Sequence, residues 1–253
     1  MSRAQSDAVG FVLVFSLIVL TVGTVYAAGY PALEEFRTDE QLENMERAFD
    51  VLDDNLEDLS REGAPSRATE IKLNGGTLAV NGSTTITVNA TTPNPVRGEN
   101  FTAPTRNEST PITYNEGDTT VVSAHGAVLR QDGDAAVMRS EPGWVVDGEH
   151  ALIPLVVTGR TGDRVAFGGS STVLVRGQVT GRGVAGELVA AAGDDVTVTV
   201  TVESPRADAW KRYFESEGFT AVDDTPADGA VTYRFEVDSV VVQLTTVSVE
   251  LEG

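Results

Sequence analysis

Ala8–Gly29 reads AVGFVLVFSLIVLTVGTVYAAG, and no charged residue falls between Asp7 and Glu34. Coiled as an α-helix, these residues would run about 33 Å, enough to cross a hydrocarbon core of about 30 Å. The helix of a soluble core keeps a polar face, whereas this one is apolar all round. The segment therefore reads as membrane-inserting, with two fates open. It is either a removable leader, cut after Ala27 at Val25-Tyr26-Ala27, or a retained anchor. Leaders carry apolar runs of about 7–15 residues behind a basic start. Here the run is longer, and Arg3 is opposed by Asp7. Retention is the favoured reading, with Arg3 inside and the acidic remainder outside.

The residues leading into the run, Arg3-Ala4-Gln5-Ser6-Asp7-Ala8-Val9-Gly10-Phe11-Val12-Leu13-Val14, resemble the N-terminus of archaeal type IV pilins, and in particular the pilin-like proteins of halophilic archaea. The family's frequent Ser-Pro is Ser6-Asp7 here. The resemblance implies cleavage by a prepilin peptidase between Ala4 and Gln5, with the apolar helix kept. It also implies a role as a structural or adhesive subunit of a pilus-like or pseudopilus assembly. The lipid bilayer, the peptidase and other pilin-like subunits would be its partners.

Pro31 is expected to kink or restart the helix. Thr38-Asp39-Glu40-Gln41 then reads as a capped helix start. Leu42, Met45, Phe49, Leu52, Leu56 and Leu59 follow at spacings that draw one seam down a helix. Gly63 and Pro65 end it. That seam suits packing on the chain's own sheet, or in part on neighbouring helices in a filament.

Beyond Pro65 the pattern changes to alternation. Segments at Thr69–Leu73, Thr84–Val88, Thr119–Ser123, Ala127–Arg130, Ala151–Val157, Thr172–Val179, Val196–Val202, Val231–Val237 and Val240–Leu251 read as strands. Asn74-Gly75-Gly76, Asn81-Gly82, Asp132-Gly133 and Asp147-Gly148 read as turns between them. One helix interrupts, with Ser204 as its cap, Pro205 at its first helical position and Gly218 at its close; Trp210, Tyr213 and Phe214 lie near one face. Asn89–Pro111 is expected to be a long surface loop. The fold class is α+β: a polar start at 1–7, a transmembrane helix at 8–30, an amphipathic helix at 31–63, and an antiparallel, sandwich-like extracellular domain at 64–253.

Composition narrows the function. There are 38 acids against 18 bases, a net charge of −20, no cysteine and two histidines. A field of that sign repels phosphate, which argues against nucleic acid as a partner. Without cysteine there are no disulfides, thiolate metal sites or thiol nucleophiles. Only Lys72 and Lys211 are lysines; the other bases are arginines. Acid excess with so little lysine is the composition expected of a protein in concentrated salt, where the Debye length falls to about 3 Å at 1 M.

Gly181-Arg182-Gly183-Val184-Ala185-Gly186 spells a dinucleotide fingerprint, but no helix-length segment follows before Gly193, so a glycine-rich loop is expected. His125 and His150 lie apart in turn-like contexts and suit surface or packing roles. Asp194-Asp195 and Asp223-Asp224 read as solvated faces. No catalytic, cofactor-binding or metal-ligating constellation is legible. Asn81, Asn89, Asn100 and Asn107 each begin an Asn-X-Ser/Thr acceptor for N-glycosylation. The open alternatives to the pilin-like reading are a single-pass protein with a binding domain that does not polymerise, and a secreted domain released after Ala27.

Overall fold

The computed structural model describes residues 2–103 and 108–253, with the side chains of 2–8, 28 and 31–36 outside that description. In chain order the elements are α1 (Ser2–Arg61), β1 (Ser66–Lys72), β2 (Gly75–Val80), β3 (Thr84–Thr91), β4 (Pro95–Gly98), β5 (Phe101–Ala103), β6 (Glu108–Ser109), β7 (Ile112–Glu116), β8 (Thr119–Ala124) and β9 (Ala127–Asp132). Then come β10 (Ala135–Ser140), β11 (Val145–Val146), β12 (His150–Arg160), β13 (Ala166–Gly169), β14 (Thr172–Ala190), β15 (Val196–Glu203), α2 (Ala207–Ser216), β16 (Thr220–Asp223), β17 (Ala230–Val237) and β18 (Ser239–Glu252). The chain divides into two compact units, Met1–Asn44 and Met45–Gly253.

The class is α+β, an apolar N-terminal helical segment and an amphipathic one followed by a mostly antiparallel β domain with an inserted helix. The two helical segments form one continuous helix. Pro31 removes a single N–H donor from a ladder of 60 residues, and no restart occurs at Thr38. Met45, Phe49, Leu52, Leu56 and Leu59 are buried within the larger unit, and Leu42 in the smaller unit is buried too. A side chain on Gly177 of β14 would press on Leu59, Leu56 and Val247, so this glycine lets the end of α1 lie close against the sheet.

Three sheets build the larger unit. The first runs β1-β14-β18-β12-β11, with β4 on the far end of β14. The second runs β10-β9-β8-β7-β2-β13, and the third β16-β17-β15-β3-β5, with β6 beside β3. The β12–β18 pair is parallel, aligning Leu155 with Leu244. In the third sheet, strict alternation on β15 buries Val196, Val198, Val200 and Val202. They share one core with Ile86 and Val88 of β3, Val231 and Tyr233 of β17, and Leu155 and Val242 of the first sheet.

α2 covers this core with Trp210 and Phe214, whose rings lie 6.1 Å apart; Phe214 also meets Tyr233 at 5.2 Å. Its start differs from the expectation. Ser204 and Pro205 form a turn in which Ala207 N–H donates to the Ser204 carbonyl, and Arg206 holds the cap position without a side-chain bond. Proline here sets the second position of a turn and lies outside the helix. The close is a Schellman motif: Gly218 has φ 76°, its N–H reaches the Glu215 carbonyl, and Phe219 N–H reaches that of Phe214.

Two further expectations are corrected. Gly181–Gly186 belongs to β14, which steps past β18 through register shifts at Val179/Gly181 and Val184/Gly186. Thr180 and Ala185 are the residues passed over, and beside them Gly181 and Gly186 leave room for Thr246 Oγ1 and the Phe101 ring. Within Asn89–Pro111, the described residues include the end of β3 and the short strands β4, β5 and β6, paired to β14 and β3. Few residues per strand left no period to read.

Candidate functional site

Val9–Ala27 is long and apolar enough to span a membrane, with a mean hydropathy of 2.4 and no residue buried. Segments of this kind serve as membrane anchors or as signal sequences. Both of its threonine hydroxyls are satisfied internally: Thr21 donates to the Leu17 carbonyl at 2.6 Å and Thr24 to that of Leu20 at 2.8 Å. A helix in lipid needs this, because no water is present to accept those protons. Phe11 stacks on Phe15, and Tyr26 on Tyr30 at the far end of the stretch. Ala4 and Gln5, the expected cleavage pair, lie in the helical backbone, and their side chains are outside the described ones.

The glycosylation acceptors differ in setting. Asn81 is exposed in the turn after β2, and its Oδ1 accepts the Thr113 hydroxyl at 2.9 Å. Asn89 lies within β3, and its amide donates to Thr102 Oγ1. Asn100 is exposed between β4 and β5, and its Oδ1 accepts the Thr92 N–H. Asn107 falls outside the described residues. His150 is exposed beside Ser239. Among the described residues, no group of three or more His, Asp or Glu is placed to hold a metal ion.

A polar cavity of about 100 Å³ inside the larger unit escaped the sequence reading. Its wall includes Asp53, Glu57, Ser60 and Arg61 of α1, His125 from the β8–β9 turn, and Ser140 of β10. Asp53 falls between seam positions Leu52 and Leu56, so the stripe that buries those leucines carries a carboxyl inward. Asp53 is 8 % exposed, and one of its oxygens accepts the Ser123 hydroxyl at 3.2 Å. Burial pushes this carboxyl up to about 7 against the Ser123 hydrogen bond, and Glu57, Asp54 and Asp50 add to the rise.

His125 is 2 % exposed and holds φ 54°, a left-handed backbone rare outside glycine. Its Nε2 faces the Thr84 carbonyl at 3.1 Å and therefore carries the proton, while Nδ1 has no partner. Burial lowers its pKa to about 4, so the ring is neutral. Arg61 is committed to Glu57 at 2.5 Å and to the Gly143 carbonyl. The one sequence signal for this cavity was an acid beside an apolar seam, and a −20 chain offers many acids.

Residues 3–252 match a family of unknown function, DUF7289. The chain belongs to that family. The match runs through the apolar helix and the β domain alike. No curated protein and no solved structure matches the chain.

Proposed function

We propose that this chain is a single-pass, pilin-like surface protein. Its N-terminal helix anchors it in the cytoplasmic membrane, and its acidic β head faces concentrated salt outside. The observation that carries the reading is the state of Val9–Ala27: every residue is exposed, and both threonine hydroxyls are bonded back into the helix. Such a surface is satisfied by lipid or by like helices, so one segment serves an anchored precursor and a filament core. Prepilin peptidase would cut between Ala4 and Gln5, and the role would be structural or adhesive. Exposed acceptors at Asn81 and Asn100 fit an extracytoplasmic head.

The chain has no cysteine, so a single introduced thiol reports contact between copies. Leu17→Cys, at a position 64 % exposed, is expected to give disulfide-linked dimers upon oxidation in native membranes or surface filaments. Glu99→Cys on the head serves as the collision control. Monomers from every position tested along Val9–Ala27 would favour an anchored protein that does not polymerise. A soluble product lacking the segment would favour a secreted domain.

A further inference from the structure

The cavity beside α1 presents negative charge without a matching cation. The second oxygen of Asp53 takes no hydrogen bond among the described residues. Asp54, Glu57 and Glu141 also line the wall, and Asp50 lies next to it, bonded to Ser140 at 2.7 Å. Arg61 is the one charged base on that wall, and Glu57 and the Gly143 carbonyl occupy it. Ser60 accepts the Thr245 hydroxyl. The buried Nδ1 of His125 adds a lone pair with nothing to bind. Among the described residues, the second Asp53 oxygen and His125 Nδ1 are uncommitted acceptors, and the free Ser60 hydroxyl proton is a neutral donor; a buried carboxylate so placed calls for a positive partner.

We propose that this cavity binds a monovalent cation, with Asp53 as its charged ligand. About 100 Å³ exceeds the room that a single water needs, so a small ion fits with water retained beside it. Calcium takes six to eight oxygens, commonly several of them from carboxylates, and the acids here do not converge in that way. Sodium, potassium and ammonium share the required charge and size. Bound cation would tie α1 to the strand ends that carry Ser123 and His125. The site does not depend on the pilin-like reading, because all of its residues lie in the larger unit.

The test separates a site from general screening. The chain in detergent is melted at fixed, high ionic strength, with tetraethylammonium, a bulky cation that has no N–H to donate and cannot be coordinated closely, replaced stepwise by sodium, potassium or ammonium. The expected result is a saturable rise in melting temperature of about 5 °C or more, absent in Asp53→Asn. The ion that saturates at the lowest concentration identifies the occupant. Sodium-23 line broadening of the unaltered chain gives a second readout, should Asp53→Asn not fold. A broadened component that persists in excess tetraethylammonium, and that potassium or ammonium displaces, supports the site. Melting that depends only on ionic strength, or a cation effect unchanged in Asp53→Asn, overturns it. Sodium broadening abolished by tetraethylammonium also overturns it.

Discussion

Two buried groups in the larger unit pull stability in opposite directions as pH changes. Asp53 has a folded pKa near 7 against 3.8 for an unperturbed carboxyl. The folded state therefore holds the extra proton, and this contribution is full below about 3.8 and lost as pH rises to about 7. His125 has a folded pKa near 4 against 6.5. Its contribution is full above about 6.5 and lost as pH falls to about 4. Each is on the order of 3–4 kcal/mol, so they nearly cancel between pH 4 and 6.5. In tetraethylammonium buffers, Asp53→Asn should become more stable as pH rises through that window. His125→Asn, whose side chain tolerates the left-handed backbone, should become less stable. Chemical denaturation at several pH values checks both, and parallel profiles for the two variants would contradict the assignment.

Glycines make a similar contrast. Gly133 has φ 59° with open space around it, so Gly133→Ala should cost about 1–2 kcal/mol of backbone strain. Gly98 combines φ 79° with the Glu187 carbonyl where a Cβ would stand. Gly98→Ala must move backbone, and it should melt several degrees below Gly133→Ala. Asp132-Gly133 was legible as a turn because the dipeptide itself carries the signal. Gly98 was not, since its need comes from a partner strand ninety positions away.

At the scale of elements, α1 shows how far a periodic pattern reaches. The seam through Phe49 and Leu59 is visible in the residues alone, and the structure buries it inside the larger unit, with Leu56 and Leu59 beside Gly177 of β14 and Val247 of β18. Phe49→Ala should therefore cost about 3–5 kcal/mol, measured as a loss in the denaturant midpoint at constant slope. Val51 on the same helix is 53 % exposed, and Val51→Ala should stay within about 0.5 kcal/mol. The pattern did not reveal how the helix is fastened. Glu46 is buried with Arg130 at 2.8 Å and Arg139 at 2.9 Å, which pins α1 to the β9–β10 hairpin. Arg182 caps α1 by donating to the Leu59 and Ala64 carbonyls. That arginine stands in the glycine-rich run that spelled a nucleotide fingerprint; its side chain belongs to helix termination. Both attachments pair residues more than eighty positions apart, and no local period encodes such a pairing.

At the scale of the molecule, the α+β class and most long strands were readable, because alternation on strands such as β15 follows directly from burying one face. The division into three sheets and the parallel β12–β18 pair were not, because strand order depends on long-range register. A net charge of −20 predicts that the head loses structure when salt falls below roughly 0.5 M, as repulsion among acids is less screened. Circular dichroism of the chain in dilute buffer checks this, and an unchanged spectrum would count against adaptation to salt. The central claim is that Val9–Ala27 stays in the finished protein as its membrane segment. Mass spectrometry of the mature N-terminus, on chain recovered from cell fractions, tests it most directly. The account predicts a membrane-bound or filament-bound chain that begins at Gln5 and keeps the whole apolar helix. A chain beginning at Ala28, dissolved outside the cells, would contradict it.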